Sequence, residues 1–436
     1  MSDIKRQLDQ LRSDGSGSDS PGSSSIRDRL NRLYNRESSP DDTGQKYFVE
    51  ESVVRAHERL EELIPGEYVN THYGDIYRAR ATFPLDSLHG NSLLEEFFQV
   101  RPERLLKLGK VETPADVNLN EALFFDTEAS GLSGGTGTYV FMIGLGYFHD
   151  DQFVVDQLFV DSYAKEEGML DLLRECVQNA SLLVSFNGKS FDVNLMNTRY
   201  AMHAQSSPFD DIPHLDLLHP SRNLWNLTLD NCKLQTLERE ILEFSRENDT
   251  PGEEVPGIYF DFIRTGDPTE IAGVFEHNKL DIVSLVGVTT MLEQNFHEVR
   301  SIPQENGLTM FSRARIYERY DRTEKALECY QKALKEPVSN NRQLEILSRM
   351  ASLEKRRENW HAAIHLWEEQ MNVMPVFTLE PYEELAKYYE HQTKNYTKAA
   401  EIVKTALKLV PDHREDDAEA LQYRMNRLER RMEREI

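Results

Sequence analysis

Residues 122–132 read ALFFDTEASGL, an apolar run that ends in two acidic residues, Asp126 and Glu128. A short apolar run of this kind favours a buried β-strand. Since side chains alternate along a strand, two acids separated by one residue lie on the same face of the sheet. A carboxylate at the end of a buried strand is costly unless a cation neutralises it. This stretch therefore predicts a strand that carries part of a cation site.

Two later blocks have the same character. Asp192 lies in FNGKSFDVNL (186–195), where an apolar run gives way to helical spacing, and Asp281 lies in the helical stretch HNKLDIVSL (277–285). Carboxylate oxygens suit Mg²⁺ or Mn²⁺, and two such ions can hold both ends of an in-line phosphoryl displacement. The three blocks together indicate metal-dependent cleavage of a phosphodiester.

The spacing of apolar residues predicts an α/β domain around these blocks. Strands are expected at 122–128, 138–149, 152–160, 181–186 and 212–218, with helices at 166–178, 191–203 and 269–296. Three successive strands followed by alternating helices and strands are typical of a mixed sheet flanked by helices. We assign this domain to residues 119–298 and expect residues 46–118 to form an accessory segment packed on it.

The C-terminal part, residues 305–436, is predicted to be all-helical and repetitive. Small residues recur every 36–37 positions, at Ala326, Ala363 and Ala399. Small residues let paired helices approach closely, and this pattern resembles tetratricopeptide repeats. The last stretch, residues 421–436, is expected to be a helix that caps the repeats. A short coiled-coil seam is the alternative for that helix.

Residues 1–45 are rich in Ser, Gly and Asp, so we expect a disordered tail that cannot bury enough apolar surface to fold alone. Two short apolar patterns in it, at 4–11 and 26–33, each follow one helical face for two turns. They are either nascent helices without function or docking helices for a groove on a partner protein.

Charge and cysteine content restrict the function classes. The formal charge is -25, and the excess lies before residue 301, where 27 basic residues face 51 acidic ones. Since nucleic-acid binders normally show a basic footprint, any nucleic acid must be held by a local patch and by bound metals. The three cysteines form no CxxC pair, which favours a reducing cytoplasm. No apolar run approaches the length of roughly 18 residues that a membrane span needs, and no signal peptide is visible.

The motifs FFDTEASGL, NGKSFD and HNKLD together resemble those of the DEDD superfamily of 3′–5′ exonucleases, which have a ribonuclease-H-like fold. The longer stretches FDTEASGLSGGTGTYVFMIGLG, SFNGKSFDVNLMNTRY and HLDLLHPSRNLW are similar to the YprB-type ribonuclease-H-like branch. The resemblance covers residues 119–295 and rests on three blocks in the family's order. It implies a metal-dependent exonuclease that hydrolyses phosphodiester bonds from a 3′ end.

The resemblance implies that Asp126, Glu128, Asp192 and Asp281 bind two Mg²⁺ or Mn²⁺ ions, which activate a water and stabilise the leaving 3′ oxygen. The alternative is that these acids are solvated strand ends and a helix cap. His277, four residues before Asp281, is expected to orient or deprotonate the attacking water. In histidine-type relatives the base precedes the last Asp by five residues, and in tyrosine-type relatives by four. A packing or capping role for His277 therefore stays open.

Substrate contacts are predicted on the loops beside the acids. The glycine run that begins at Gly131 would let the strand end approach a substrate closely, and a plain hairpin turn is the alternative. Asn187 and Lys189, which lie shortly before Asp192, are expected to contact the substrate, and Arg222 resembles a position of the same branch and is expected to bind the substrate as well. Lys189 is only a surface lysine on the alternative interpretation. His214 and Asp216 are expected to support the site from behind or to contact substrate.

The expected partners follow from these assignments. The substrate is a nucleic acid with a 3′ end, with RNA and DNA not distinguished, and the helical repeats are expected to bind a protein. The competing interpretation is a non-catalytic adaptor that keeps the nuclease fold as a scaffold and works through its repeats. The complete set of four acids favours the enzyme, whereas the acidic first 300 residues favour the adaptor.

Overall fold

The computed structural model describes residues 59–111, 117–131, 136–296, 306–373 and 377–435, to which every structural statement here refers. The N-terminal tail with its two helical patterns lies outside the described residues. The same holds for positions 132–135 of the glycine run and for residues 297–305. No helix in the described ranges is long and apolar enough to cross a membrane.

A mixed sheet of seven strands forms the centre of the described chain. Its strands are β1 (Gly66–Thr71), β2 (Gly74–Pro84), β5 (Ala122–Ala129), β6 (Val140–His149), β7 (Gln152–Phe159), β8 (Leu182–Ser185) and β9 (His214–Asp216). The spatial order is β1-β2-β7-β6-β5-β8-β9, while β3 (Leu88–His89) and β4 (Ser92–Leu93) form a separate hairpin. The pairs β1–β2, β2–β7, β7–β6 and β6–β5 are antiparallel. The pairs β5–β8 and β8–β9 are parallel. The mixed sheet predicted from the sequence is confirmed.

Helices cover both faces of this sheet. They are α1 (Leu60–Leu63), α2 (Pro102–Leu108), α3 (Glu166–Gln178), α4 (Asp192–Met202), α5 (Leu218–Trp225), α6 (Leu234–Glu240), α7 (Val255–Thr265) and α8 (Ile271–Phe296). Leu123 and Phe125 of β5 pack on the side of α3, α4 and α7, while Ala122 and Phe124 pack on the side of α8. A strand covered on both faces has no polar alternation, which explains the unbroken apolar run at 122–125.

The first part of the accessory segment extends the sheet, while its later residues, 94–108, pack on the side of α8. β2 pairs with β7 along its length, and β1 pairs with β2 at the sheet edge. Across the β2–β7 pair, Nε of Arg80 lies 2.6 Å from Oδ1 of Asp156. This cross-strand ion pair adds to the backbone hydrogen bonds that hold β2 in register.

The parallel pairing of β5, β8 and β9 positions the candidate site. Parallel strands need crossover connections, here through α3 before β8 and α4 before β9. The carboxyl ends of the three strands therefore meet at one edge of the sheet. Asp126 and Glu128 lie at the end of β5, residues 186–191 follow β8, and Asp216 ends β9.

The region after residue 306 is all-helical, as predicted. Its helices are α9 (Gly307–Arg319), α10 (Thr323–Lys335), α11 (Asn340–Arg356), α12 (Trp360–Met371), α13 (Glu380–His391), α14 (Tyr396–Leu409) and α15 (Glu415–Glu435). The recurring residues Ala326, Ala363 and Ala399 are fully buried. Their identity as tetratricopeptide-like repeats stays a prediction. Leu421 and Leu428 of α15 pack in one cluster with the buried residues of α14.

One hydrophobic core joins the sheet to the first helical hairpins. Residues 282–296 of α8 are buried without interruption, as expected for a helix that is apolar all round. Phe124 of β5, Leu285 of α8 and Phe311 of α9 belong to the same cluster of buried side chains. Helix α8 therefore supports the candidate site on one side and the helical region on the other.

Candidate active site

Asp126 and Glu128 lie at the end of β5, and both side chains are half-buried. Strand alternation places them on the same side as Phe124, which faces α8. The residue between them, Thr127, faces α4, and its hydroxyl donates a hydrogen bond to Oδ1 of Asp192. The end of this strand therefore reaches both helices that carry the other predicted acids.

Asp192 is the first residue of α4, directly after the turn that leaves β8. The buried carboxylate of Asp216 holds that turn by accepting backbone N–H hydrogen bonds from Asn187 (2.8 Å) and Lys189 (3.2 Å). Asn187 has a left-handed backbone with φ 65°, a conformation that asparagine tolerates better than most residues. Asp216 thus acts through the turn to position Asp192.

Helix α8 brings Asn278 and Asp281 to the same edge. Asn278 is fully buried; its Nδ2 donates to Oδ2 of Asp126 at 2.9 Å, and its Oδ1 accepts from Nε2 of Gln157 at 3.0 Å. Gly144 of β6 provides the space for this amide, because a Cβ there would overlap Oδ1 of Asn278. The orientation of the Asp126 carboxylate is therefore set from α8 and from two neighbouring strands.

The electrostatics of the acids are those of a crowded anionic site. Desolvation raises the pKa of Asp126 and of Glu128 well above their ordinary values, and the charges of Asp281 and Asp192 raise both further. Desolvation also raises the pKa of Asp192 to about 6. Within the described ranges, no Lys, Arg or His forms an ion pair with Asp126, Glu128 or Asp192. Desolvated carboxylates without a counter-ion are suited to bind a cation.

The donor set fits Mg²⁺ or Mn²⁺, which prefer carboxylate and water oxygens. In the present conformation, no three Asp, Glu, His or Cys side chains of the described residues are arranged around a common point. Three of the four acids have another contact: Asp126 and Asp192 accept hydrogen bonds from neutral side chains, and Asp281 is paired with an arginine.

That arginine, Arg246, was missed by sequence reasoning. Its Nη2 donates to Oδ1 of Asp281. The same guanidinium donates to the carboxylate of Glu238 from Nε (2.8 Å) and from Nη2 (2.5 Å). The side chains of Arg246 and Glu238 are 4% and 1% exposed, so the pair is shielded from solvent. One signal was available: Arg246 is the single basic residue between Arg239 and Arg264, in an acid-rich stretch.

His277 is held between two carboxylates. Its Nδ1 lies 2.7 Å from Oδ1 of Asp249, and its Nε2 lies 3.5 Å from Oδ2 of Asp281. Nη1 of Arg246 also lies 3.2 Å from Nδ1. The carboxylate of Asp249 is the closer of the two neighbours, and because a carboxylate accepts and does not donate, it favours a proton on Nδ1. The unprotonated Nε2 then faces the acid cluster, where it can accept a proton. Asp249 was not predicted, since it lies in the irregular segment before α7.

The predicted substrate residues divide into two groups. Glu128 and Asp192 line a cavity of about 520 Å³ together with Gly131, whereas Asp126 and Asp281 are not part of its lining. Lys189 and Arg222 do not line this cavity, and Arg222 is exposed on α5. Asn187 contributes its backbone to the turn before α4. The structure therefore brings Gly131 to the acids and leaves the two predicted cations outside the cavity.

A family model described as the RNase_H superfamily matches residues 123–293, which include all four acids. A protein of Bacillus subtilis (strain 168), described as "Uncharacterized protein YprB", is 29% identical over 316 residues, 72% of this chain and 76% of that protein. The family B DNA polymerase of the archaeon Pyrobaculum calidifontis aligns with a TM-score of 0.32 and 13% identity over 62% of this chain. This chain spans only 43% of that polymerase. The ribonuclease-H-like fold predicted for this region is confirmed by the family match together with the sheet.

Proposed function

We propose that this chain is a metal-dependent nuclease that removes nucleotides from the 3′ end of a nucleic acid. The observation that supports this most strongly is that Asp126, Glu128 and Asp192 lie near one strand edge and that no Lys, Arg or His of the described residues forms an ion pair with them. Perturbed carboxylates in a cavity are typical of functional sites, since burying them unpaired costs stability. The match of residues 123–293 to the RNase_H superfamily is in keeping with this chemistry.

In this proposal Asp126, Glu128, Asp192 and Asp281 hold two Mg²⁺ or Mn²⁺ ions, which supply charge neutralisation at the phosphodiester when bound. His277 accepts a proton from the attacking water through Nε2. The water oxygen forms a bond to the terminal phosphorus, and the bond to the 3′ oxygen of the shortened strand breaks. The released product is a nucleoside 5′-monophosphate, and the new 3′ oxygen takes up a proton.

The residues behind the acids have positioning roles. Asn278 holds the Asp126 carboxylate through its amide, and Asp249 keeps the proton of His277 on Nδ1. Asp216 fixes the turn that presents Asp192. All three act through another side chain, so their replacement is expected to slow hydrolysis without removing a metal ligand.

The helical region is proposed to bind a protein partner, as tetratricopeptide-like repeats would. The three cysteines form no disulfide with one another, in keeping with the reducing cytoplasm that we propose as the location of the enzyme. One observation favours the adaptor alternative: Arg246 already neutralises Asp281, so one of the four predicted ligands is occupied by the chain itself.

Activity on end-labelled oligonucleotides tests the proposal. Single-stranded RNA and DNA carrying a 5′ label are incubated with Mg²⁺ or Mn²⁺, and with EDTA as the control. We expect a ladder of products shortened from the 3′ end in the metal samples alone, and release of labelled mononucleotide from a 3′-labelled strand. Absence of cleavage with either metal, together with a melting temperature that neither metal raises, would favour the adaptor.

A further inference from the structure

A second pocket lies where α2 and the end of α8 meet the first helical hairpin, α9 and α10. Its volume is about 280 Å³, and four basic residues line it: Arg104, Lys107, Arg322 and Lys325. Glu103 is the single carboxylate in the lining, and Glu293 lies 3.5 Å from Arg104. Lys107, Arg322 and Lys325 are exposed, and none of them forms an ion pair with another described residue. The pocket therefore presents available positive charge in a chain of strongly negative net charge.

Tyr320 presents a partly exposed aromatic ring in the lining of this pocket, whereas the other two lining aromatics, Phe296 and Tyr317, are buried. The ring of Tyr317 packs on Phe296 with centroids 4.6 Å apart. The ammonium group of Lys325 lies 5.3 Å from the Tyr317 ring, and that of Lys107 lies 5.6 Å from the ring of Tyr320. The hydroxyl of Tyr320 donates a hydrogen bond to the backbone carbonyl of Lys107, which fixes the ring of this half-buried residue beside the lysine.

We propose that this pocket binds the single-stranded nucleic acid on the 5′ side of the strand end that is cleaved. Cations that contact phosphates and aromatic rings that stack on bases are the combination by which proteins hold single strands without reading their sequence. An acidic protein segment would use the cations but has no need of the rings. The assignment rests on the proposed nuclease function, which it deepens by adding a second contact to the substrate.

The separation of the two sites sets the length of strand required. Helix α8 leads from Asp281 in the candidate active site to Phe296 in this pocket, a distance of about 22 Å at 1.5 Å per residue. A stacked strand advances about 3.4 Å per nucleotide, so roughly six or seven nucleotides span that distance. A dinucleotide or trinucleotide reaches the acids without reaching the pocket.

Binding without turnover gives the first test. A fluorescent single-stranded oligonucleotide of about 12 nucleotides, long enough to span both sites, is titrated with the full chain in EDTA, and its anisotropy is measured. The variant is Lys107→Glu/Lys325→Glu. The matched control is Lys404→Glu/Lys408→Glu, which reverses two exposed lysines of α14. We expect the pocket variant to bind about tenfold more weakly and its salt slope to fall by about 1.4, at 0.7 for each lost phosphate contact.

Three results would overturn the inference: no binding by the wild-type chain, equal binding by the pocket variant, or an equal loss in the control. Tyr320→Leu separates stacking from charge. This variant should bind the oligonucleotide more weakly, but the salt dependence of its binding should equal that of the wild type. Adenosine monophosphate as competitor distinguishes a strand from a free nucleotide. Displacement of the oligonucleotide by micromolar nucleotide would assign the pocket to a mononucleotide and contradict the strand.

Hydrolysis gives the second test and separates this inference from the proposed function. The pocket variant should lose activity on the longer oligonucleotide and keep wild-type activity on a dinucleotide. Equal activity of the wild type and the pocket variant on both substrates would show that the pocket does not contact the substrate. The proposed nuclease function would be unaffected by that result. The wild type could also cleave no substrate while the pocket variant still binds the oligonucleotide more weakly in EDTA. That result would support the pocket as a strand-binding site and contradict the proposed nuclease function.

Discussion

Two sets of carboxylates in this protein have opposite surroundings. In the helical region, Glu390 is ion-paired with Arg424 (3.0 Å), Arg427 (2.6 Å) and Arg431 (3.3 Å). Desolvation alone would raise the pKa of Glu390, but these ion pairs, that with Arg427 foremost, hold it below its ordinary value. At the edge of the sheet, desolvation raises the pKa of Asp126, and no described cation is paired with it.

The difference shows that the chain can neutralise a buried carboxylate with its own arginines and does not do so at the strand edge. Unpaired buried acids cost stability, so their presence is expected where function requires them. Asp281 is intermediate, because Arg246 neutralises it while it faces the other acids. Replacing one acid or one arginine at a time distinguishes a structural carboxylate from a metal ligand.

The largest effect is expected for Asp126→Asn, which removes a proposed metal ligand. Hydrolysis should fall below detection, while the metal-free protein should be as stable as the wild type or slightly more stable, because repulsion between like charges is relieved. Rates are measured at saturating metal, and stability by urea unfolding in EDTA. Wild-type turnover by this variant would show that Asp126 is not required for hydrolysis and that it has a structural role, as Glu390 has.

His277→Ala should lose about 10²–10⁴-fold in rate, the usual contribution of a positioned acid–base group. Its metal binding, measured by calorimetry, should stay near that of the wild type. His277→Tyr is the informative companion, since tyrosine-type relatives carry their tyrosine at this spacing, and we expect it to recover part of the activity. Should His277→Ala keep the wild-type rate and pH profile, the histidine only packs between Asp249 and Asp281.

Glu390→Gln tests the structural side of the comparison. Three arginines would lose their shared acceptor, and removing one partner of a buried ion pair costs about 3 kcal/mol or more of unfolding free energy. Urea unfolding measures this loss, and the hydrolysis rate per folded molecule should not change. Glu383→Gln is the matched control: it is 38% exposed and pairs with Arg424 at 3.3 Å, so its loss should stay below about 1 kcal/mol.

The pH dependence of stability should differ between wild type and Asp192→Asn. The folded-state pKa of Asp192 is raised from its ordinary 3.8 to about 6, so the folded state binds the proton more tightly than the unfolded state does. This group therefore destabilises the protein as pH rises from about 4 to 6. In EDTA at pH 7, Asp192→Asn should be more stable than the wild type by about 1–3 kcal/mol, at 1.4 kcal/mol per pKa unit.

That difference in unfolding free energy should shrink as pH falls and disappear below about pH 4, where the carboxyl is protonated in both states. Urea unfolding of both proteins at pH 7 and pH 4 measures it. An advantage of the variant that stays constant with pH would mean that Asp192 is not desolvated in the folded protein.

The smallest effect is expected at Arg246. Glu238→Gln/Arg246→Met removes the buried pair together, frees Asp281 and should tighten Mn²⁺ binding by about fivefold, since an ion pair with a partly exposed partner is worth about 1 kcal/mol. Glu238→Gln alone is the control; it leaves Arg246 with Asp281 as its main partner and should weaken Mn²⁺ binding. Titration calorimetry measures both. Unchanged affinity in both variants would show that Asp281 is not a metal ligand.

Sequence reasoning was most successful where a local pattern decides the structure. The short unbroken apolar run that ends in Asp126 favoured a buried strand by its length, and the spacing of apolar residues around Asp281 favoured a helix by its period. The start of α4 at Asp192 also follows from a local change of period. These elements carry all four predicted acids.

Contacts made across long sequence separations could not be predicted in the same way. Arg246 and Asp249 lie in a segment without regular structure, so no period indicates where their side chains point. The pairing of β2 with β7 depends on which strand edge remains open after the sheet forms. The core shared by Phe124, Leu285 and Phe311 depends on how α8 packs, and its apolar composition alone does not reveal its neighbours.

The glycine at position 144 has a consequence for recognising related enzymes. A side chain there would push away the Asn278 amide, and Asp126 would lose the hydrogen bond that orients it. A sequence search that counts only acids would therefore accept chains whose first ligand is misdirected. A glycine at the position of Gly144 in β6, together with an asparagine at the position of Asn278, is therefore a stricter criterion for a competent site than the four acids alone.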